Sequence, residues 1–468
     1  MKVALVNTNR MKPPIAPIGL EYCAEALNAT VVTPEILDLS FEVDIKSKIR
    51  SFFLKQAFDT VGVTFRNTDD CAYTGRHSFF NEIAGILSQI RECTKACLIV
   101  GGSGFSVMPL LLMKELEADI GIWNDGEFIF PELLKRIARN EKWQGLSNLI
   151  FSADGEWRIT SPEVFSLETL PVMTRSFFDN RRYFKEGGQA GFETKRGCDR
   201  HCIYCADPVA KGNKIRVRSP ESVVQELGNL LDQGIDHLHT CDSEFNIPEW
   251  HAKDICKEIS KSGLEKSMRW FAYCSPFPFS KELAQQMRRS GCAGINFGAD
   301  SGDEGMLRRL GRDFGPDEVL QAVKLCKDEG ITVMIDLLLG GPDESEESIK
   351  NTIEAMNRAN PDRIGINVGV RVYPKTQLSH LVARRPEGLV GGADPKVPLF
   401  WIEPKIGSRV FDILDGFVGQ DERYFFFDPS KPAQNYNYNN NERLAEAIRR
   451  GYRGAYWDIL RRYKEDSV

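Results

Sequence analysis

The segment Cys198-Asp199-Arg200-His201-Cys202-Ile203-Tyr204-Cys205 constrains this chain more than any other. Three residues separate its first two thiols and two separate the last pair, so one tight loop can aim all three at a single point. Compact thiolate sets of this kind suit zinc or an iron-sulfur cluster. With three ligands instead of four, one metal position stays open for chemistry. The preceding residues, Gly191-Phe192-Glu193-Thr194-Lys195-Arg196-Gly197, have the look of a strand running into that loop.

At 468 residues the chain is long enough for two or three domains. Lys and Arg total 60 against 66 Asp and Glu, a formal charge of -6. That balance argues against nucleic acid as a partner. Twelve cysteines occur without a secretory signal or an apolar run of 18 residues. They are expected to be reduced thiols in a cytoplasmic protein with no membrane association. Cys23, Cys71, Cys93, Cys97, Cys256, Cys292 and Cys326 lack ligand spacing and are expected to be core residues, whereas Cys241 and Cys274 fall near strand ends where a site would be built.

From Met1 the pattern alternates short β-rich runs with helical ones, as in a parallel sheet covered by helices. Strands are expected at Val3 to Val6, Thr30 to Val32, Thr60 to Thr64, Ala96 to Val100 and Ile120 to Trp123. Helices are expected near Gly19 to Leu27, Ser78 to Cys93, Pro109 to Leu116 and Glu127 to Arg139. This describes a doubly wound, Rossmann-like domain over residues 1–145, in which ligands sit at the carboxyl ends of the strands. The loops there are Arg66-Asn67-Thr68-Asp69-Asp70, Gly101-Gly102-Ser103-Gly104 and Asn124-Asp125-Gly126-Glu127. The glycine pair permits close approach of a bulky ligand, and Ser103 or Ser106 can donate to it.

A polar and aromatic linker is expected over 146–188, its path set by Pro171 and Arg175 to Phe178. Six β/α units follow within 189–375, with helices such as that opened by Ser219-Pro220 and strands at His237 to Thr240, Met268 to Tyr273, Ala293 to Gly298, Thr332 to Leu339 and Arg363 to Val370. Their ends carry Asp242 and Glu244, Asp300 and Ser301, and Asp336 ahead of Gly340-Gly341-Pro342-Asp343-Glu344. Such groups can take an ammonium and a ribose diol. A cap over 376–468 completes the chain; its Asn435 to Asn441 run is expected to be a surface loop, and Asn441 to Arg462 one amphipathic helix.

A Rossmann-like domain followed by the three-cysteine loop resembles the cobalamin-binding-domain (class B) radical S-adenosylmethionine (SAM) enzymes. The resemblance implies a partial (β/α)6 TIM-like barrel behind the N-terminal domain. It also implies a [4Fe-4S] cluster on Cys198, Cys202 and Cys205, which cleaves SAM reductively to a 5'-deoxyadenosyl radical. SAM would then meet Asp242, Glu244, Asp300, Ser301, Asp336 and, through its adenine, Tyr204. Cobalamin would lie against Arg66, Asn67, Thr68, Gly101, Gly102, Ser103, Gly126 and Glu127. The Asp-x-His-x-x-Gly motif of many relatives is absent, and His77 is the only histidine of the first domain.

The implied reaction is cobalamin-dependent C-methylation of a small molecule, with flavodoxin or ferredoxin as electron donor. One alternative is a radical dehydratase or rearrangement enzyme acting on a polar substrate such as an aminosugar. Another is a zinc- or cluster-binding interaction protein without radical chemistry. The pattern assigns no catalytic acid or base.

Overall fold

In the computed structural model, residues 1–392, 394, 396–428, 430 and 437–466 are described. The first sheet contains β1 (Val3–Asn7), β2 (Glu35–Asp38), β3 (Thr60–Thr64), β4 (Cys97–Gly101), β5 (Ile120–Ile122), β6 (Leu149–Ala153) and β7 (Glu156–Ile159), in the order β2-β1-β3-β4-β5-β6-β7. Its five leading strands are parallel. β1 and β3 are buried along their whole length, as strands covered by helices on both faces must be.

Two features of the first domain differ from expectation. The β-branched run at Thr30 is the end of helix α1 (Ile18–Thr30), and β2 begins only after Pro34, which cannot continue a helix. The segment expected as linker starts with β6 and β7, an antiparallel hairpin that extends the first sheet to Ile159. A further helix, Ile45–Lys55, is capped by Asp44 accepting from the Ser47 amide.

The second sheet contains β8 (Ala190–Phe192), β9 (His237–Thr240), β10 (Arg269–Cys274), β11 (Cys292–Asp300), β12 (Thr332–Leu339) and β13 (Arg363–Val368), all parallel. These are the six expected β/α units. A seventh parallel strand, β14 (Tyr424–Phe426), comes from the segment expected only to cap the barrel, and it pairs with β13. The outward side chains of these strands pack on helices such as α2 (Pro220–Leu231), which starts at the Ser219 cap as expected. The expected final helix is two, α3 (Glu442–Arg449) and α4 (Tyr456–Glu465). Between them Gly454 has φ +118, and a Cβ there would lie 2.7 Å from the Phe271 ring. That turn sends Ala455 and Trp457 into the barrel floor beside Phe271 and Met334.

The two halves meet through a water-excluded ionic lattice. Arg175 donates to Glu21 on α1 at 2.7 Å, to Glu226 on α2 at 2.8 Å and to the Gly191 carbonyl on β8 at 2.9 Å. Arg218 donates to Glu226 at 2.6 Å and to Tyr22 at 2.9 Å. The side chains of Arg175, Glu21 and Glu226 are all 0 % exposed.

Removing one partner from such a lattice strands charges that water cannot reach. Arg175→Ala is therefore expected to lower stability by about 3–5 kcal/mol, read as a fall in the urea midpoint of the whole chain. A loss under 1 kcal/mol would contradict this role.

Candidate active site

The cysteine loop is held from both ends by close backbone contacts. Gly197 has φ +89, and a Cβ there would stand 2.1 Å from the Lys214 carbonyl oxygen. Gly311, at φ +79, passes so near His201 that a Cβ would lie 2.3 Å from its carbonyl oxygen. The Ile203 amide donates to Leu310 O at 3.0 Å, and the Cys205 amide to Cys202 O at 3.2 Å. All three thiols are half-buried, and burial raises each, Cys202 to about 11. Binding iron would displace those protons. Among the described residues no three His, Cys, Asp or Glu side chains gather around one metal-ion position.

Above the loop, Arg312 organises the mouth of the barrel. It donates to Asp300 at 2.6 Å, to Glu244 at 3.3 Å and to the Gly298 carbonyl at 2.8 Å. Tyr204 Oη also donates to Asp300. Glu244 keeps one buried oxygen, Oε2, without a partner, and its charge bears on Cys198 and Cys202. Asp336 on β12 accepts from Asn296 on β11 at 2.7 Å.

Several residues expected to hold SAM are engaged elsewhere. Asp242 accepts from the Thr194 amide at 2.8 Å, the Thr194 hydroxyl at 2.6 Å and the Lys195 amide at 3.2 Å, locking β8 to β9. Ser301 Oγ bonds Thr352 Oγ1 at 2.8 Å and is buried. Asp300, with φ +64, is taken up by Arg312 and Tyr204. Glu244 and Asp336 still face the barrel interior. Arg312 was not singled out in the sequence, where it is one of several arginines after the fourth barrel strand.

On the other side, the strand ends of the first domain open onto a cavity of about 670 Å³. Gly101, Gly102, Ser103, Arg66, Gly126 and Glu127 line it. Gly102 has φ +117, and a Cβ there would meet the Phe65 carbonyl oxygen at 2.7 Å. Arg66 Nη1 rests 3.7 Å from Met11 Sδ, and burial lowers its guanidinium. Asn67 lines a smaller neighbouring hollow instead. Thr68 is buried against Asp69, which is paired at 2.8 Å with Arg371 of the second half. Glu127 pairs with Arg196, and Asp125 with both Arg196 and Arg216, so these acids also grip the ribbon that brackets the cysteine loop.

The same cavity continues into the barrel. Gln189, Gly191, His239, Cys241, Asp242 and Tyr273 line it from that side, and Tyr438, Asn439, Tyr456 and Trp457 from the C-terminal segment. Tyr438 and Asn439 thus belong to the site and not to a surface loop; Asn435 and Tyr436 of the same run lie outside the described residues. Cys241 is a cavity residue, while Cys274 is a core residue.

Residues 192–356 match the family model of the radical SAM superfamily. The chain is 29 % identical to a tryptophan 2-C-methyltransferase of Streptomyces laurentii, over 83 % of this chain and 75 % of that one. It superposes with TM-score 0.92 and 27 % identity on the radical SAM methyltransferase TsrM of Kitasatospora setae with tryptophan and a SAM analogue bound, covering 99 % of this chain and 98 % of that one. Another TsrM structure, holding cobalamin and a [4Fe-4S] cluster, aligns over both full chains with TM-score 0.89 and 26 % identity.

Near the barrel mouth, Glu344 accepts from the Gly340 amide at 3.0 Å and from Ser348 at 2.9 Å, and burial raises it from 4.5 to about 7. Between those values the folded chain holds a proton that the unfolded chain releases, so stability falls as pH rises through this window. Glu344→Gln should remove that dependence and gain about 1–3 kcal/mol over the parent at pH 8 but not at pH 4. Urea midpoints at the two pH values measure it; a parallel pH dependence in both proteins would contradict it.

The chain thus carries a radical SAM domain over residues 192–356 and is similar along its full length to a cobalamin-binding radical SAM methyltransferase.

Proposed function

We propose that this chain is a cobalamin-dependent radical SAM methyltransferase that methylates a ring carbon of tryptophan or a closely similar aromatic small molecule. The observation that carries the reading is the single cavity shared by the first domain's strand ends and the barrel bore. A ligand lying on Gly101, Gly102 and Ser103 would face a substrate in the barrel with no wall between them.

Each residue set fits its group. Cys198, Cys202 and Cys205 would hold three irons of a [4Fe-4S] cluster, and the unpartnered Oε2 of Glu244 is an acceptor beside the remaining position. SAM would lie between that position and Asp336. The glycine-lined floor around Gly101, Gly102 and Gly126 leaves room for a corrin plane, with Ser103, Arg66 and Glu127 at its edge. When bound, these groups supply one-electron chemistry at the cluster, a methyl source and a methyl carrier. The chain's own part is to orient and to exclude water: the aromatic floor of Tyr456 and Trp457 sets the depth of the substrate, and Tyr273 borders it.

Boundaries near Ile159 and Gly188 for the first domain and the linker, with the barrel completed by β14, fit this division of labour. The twelve cysteines, all free, support a reducing cytoplasmic setting, with flavodoxin or ferredoxin as electron donor. Among the described residues no helix is long and apolar enough to cross a membrane.

Anaerobic reconstitution with iron, sulfide and cobalamin, followed by SAM and tryptophan, tests the reading. The expected outcome is a bound corrin spectrum, about four irons per chain and a tryptophan product heavier by one methylene. Cys202→Ala should lose the iron and the product yet retain the corrin. A wild-type chain that binds its cluster but no corrin would overturn the methyltransferase assignment.

A further inference from the structure

His239 sits on β9, is 8 % exposed and lines the cavity. Its Nδ1 lies 2.8 Å from the Thr240 carbonyl oxygen. A carbonyl only accepts, so Nδ1 carries the proton and Nε2 presents a bare lone pair. Among the described residues no protein group meets Nε2. Burial lowers the imidazole to about 4, with no charged neighbour contributing, so the ring is neutral near pH 7.

The surroundings of that lone pair have a definite shape. Tyr273, 43 % exposed, stands with its ring centroid 4.8 Å from His239 at an interplanar angle of 49°. Tyr456, Trp457 and Ala455 add flat, largely apolar surface across the same space. Such a site accepts a planar ring by its faces, and Nε2 offers an acceptor to a ring-edge donor beside the Tyr273 ring. A buried acceptor left facing an atom without hydrogen carries a desolvation cost, which is how a pocket rejects a near-isosteric ligand.

We propose that His239 Nε2 accepts the ring N–H of an indole-type substrate and is the specificity-determining residue of the cavity. The proposal rests on the methyltransferase reading and adds to it the feature by which the substrate is chosen. Fixing the ring nitrogen also fixes the azimuth of the neighbouring ring carbon, so His239 sets which carbon faces the first domain. Corrin side-chain amides carry N–H donors too, and the experiment separates these two occupants.

Holoenzyme is titrated with tryptophan and with its benzothiophene analogue, in which sulfur replaces the ring N–H, and binding is read by equilibrium dialysis. The wild type is expected to prefer tryptophan by about ten-fold or more. His239→Leu should bring the two ligands within about two-fold by weakening tryptophan alone, and His239→Gln, whose amide oxygen accepts, should restore part of the preference. A wild type without preference overturns the proposal and needs no variant to do so. A Leu variant that keeps the preference overturns it as well; corrin absorbance lost from that variant while the preference persists would assign Nε2 to the corrin amides. Wild-type methylation of tryptophan with selectivity indifferent to position 239 removes only this proposal. A holoenzyme that neither binds nor methylates tryptophan removes the methyltransferase reading together with it.

Discussion

Arg175 is fully buried, carries a positive φ of 58°, and bonds at once to the first domain, the second helical layer and a barrel strand. A guanidinium out of water is tolerable only where carboxylates and carbonyls replace its hydration, and here Glu21, Glu226 and Gly191 O do so at Nε and Nη1, while Nη2 is buried without a hydrogen-bond partner. The geometry is also demanding, since a planar fork must meet all three from one position. The consequence reaches the cavity directly. α1 carries both Glu21 and the cavity residues Gly19, Leu20 and Cys23, while β8 carries Gly191. The lattice therefore sets the separation between the two cavity walls.

A second set of ion pairs works at the other side of the same space. Asp125 and Glu127, on the first domain, hold Arg196 and Arg216, which sit opposite each other on the short ribbon flanking the cysteine loop. Acids expected from the sequence as ligand contacts are thus also the fasteners between the cavity floor and the cysteine loop. Glu127 can serve both ends because it lines the cavity while its carboxylate is spoken for by Arg196. Burial raises Glu127, Arg196 draws it partly back, and the neighbouring Asp125 and Glu193 add to the rise.

The architecture was legible in the sequence because period and punctuation carry it. The thiol spacing, the alternation of strands with helices and the Ser219-Pro220 cap each have a local physical cause that survives folding. Side-chain partnership is less accessible. Asp242, Asp300 and Ser301 have the right chemistry at the right strand ends, yet each is taken by a neighbour remote in sequence, Thr194, Arg312 and Thr352 respectively. Arg175 was placed in the linker, where a charged residue ordinarily faces water; only the meeting of α1 and α2 shows why it does not. Tyr438 and Asn439 sit in an amide-rich run whose composition argues for solvent, yet both line the cavity half-buried, Tyr438 packing on Tyr456 of α4.

The inner face of the barrel is graded along its length by the two-residue period of its strands. Phe271 and Met334 pack with Trp457 at the floor; two residues further on the same faces come Tyr273 and Asp336. β9 follows the same rule with His239 and then Cys241, and β11 with Asn296 and then Gly298, where Arg312 reaches the backbone. The outcome is an apolar floor, a middle band of hydrogen-bonding groups, and a charged rim beside the thiols. A substrate with one flat apolar body and one polar edge settles in such a gradient in a single orientation, because turning it over would bury its polar edge against Trp457 and leave the band unsatisfied. Orientation is thus imposed by strand parity, with the rim left free for the groups that carry the reaction.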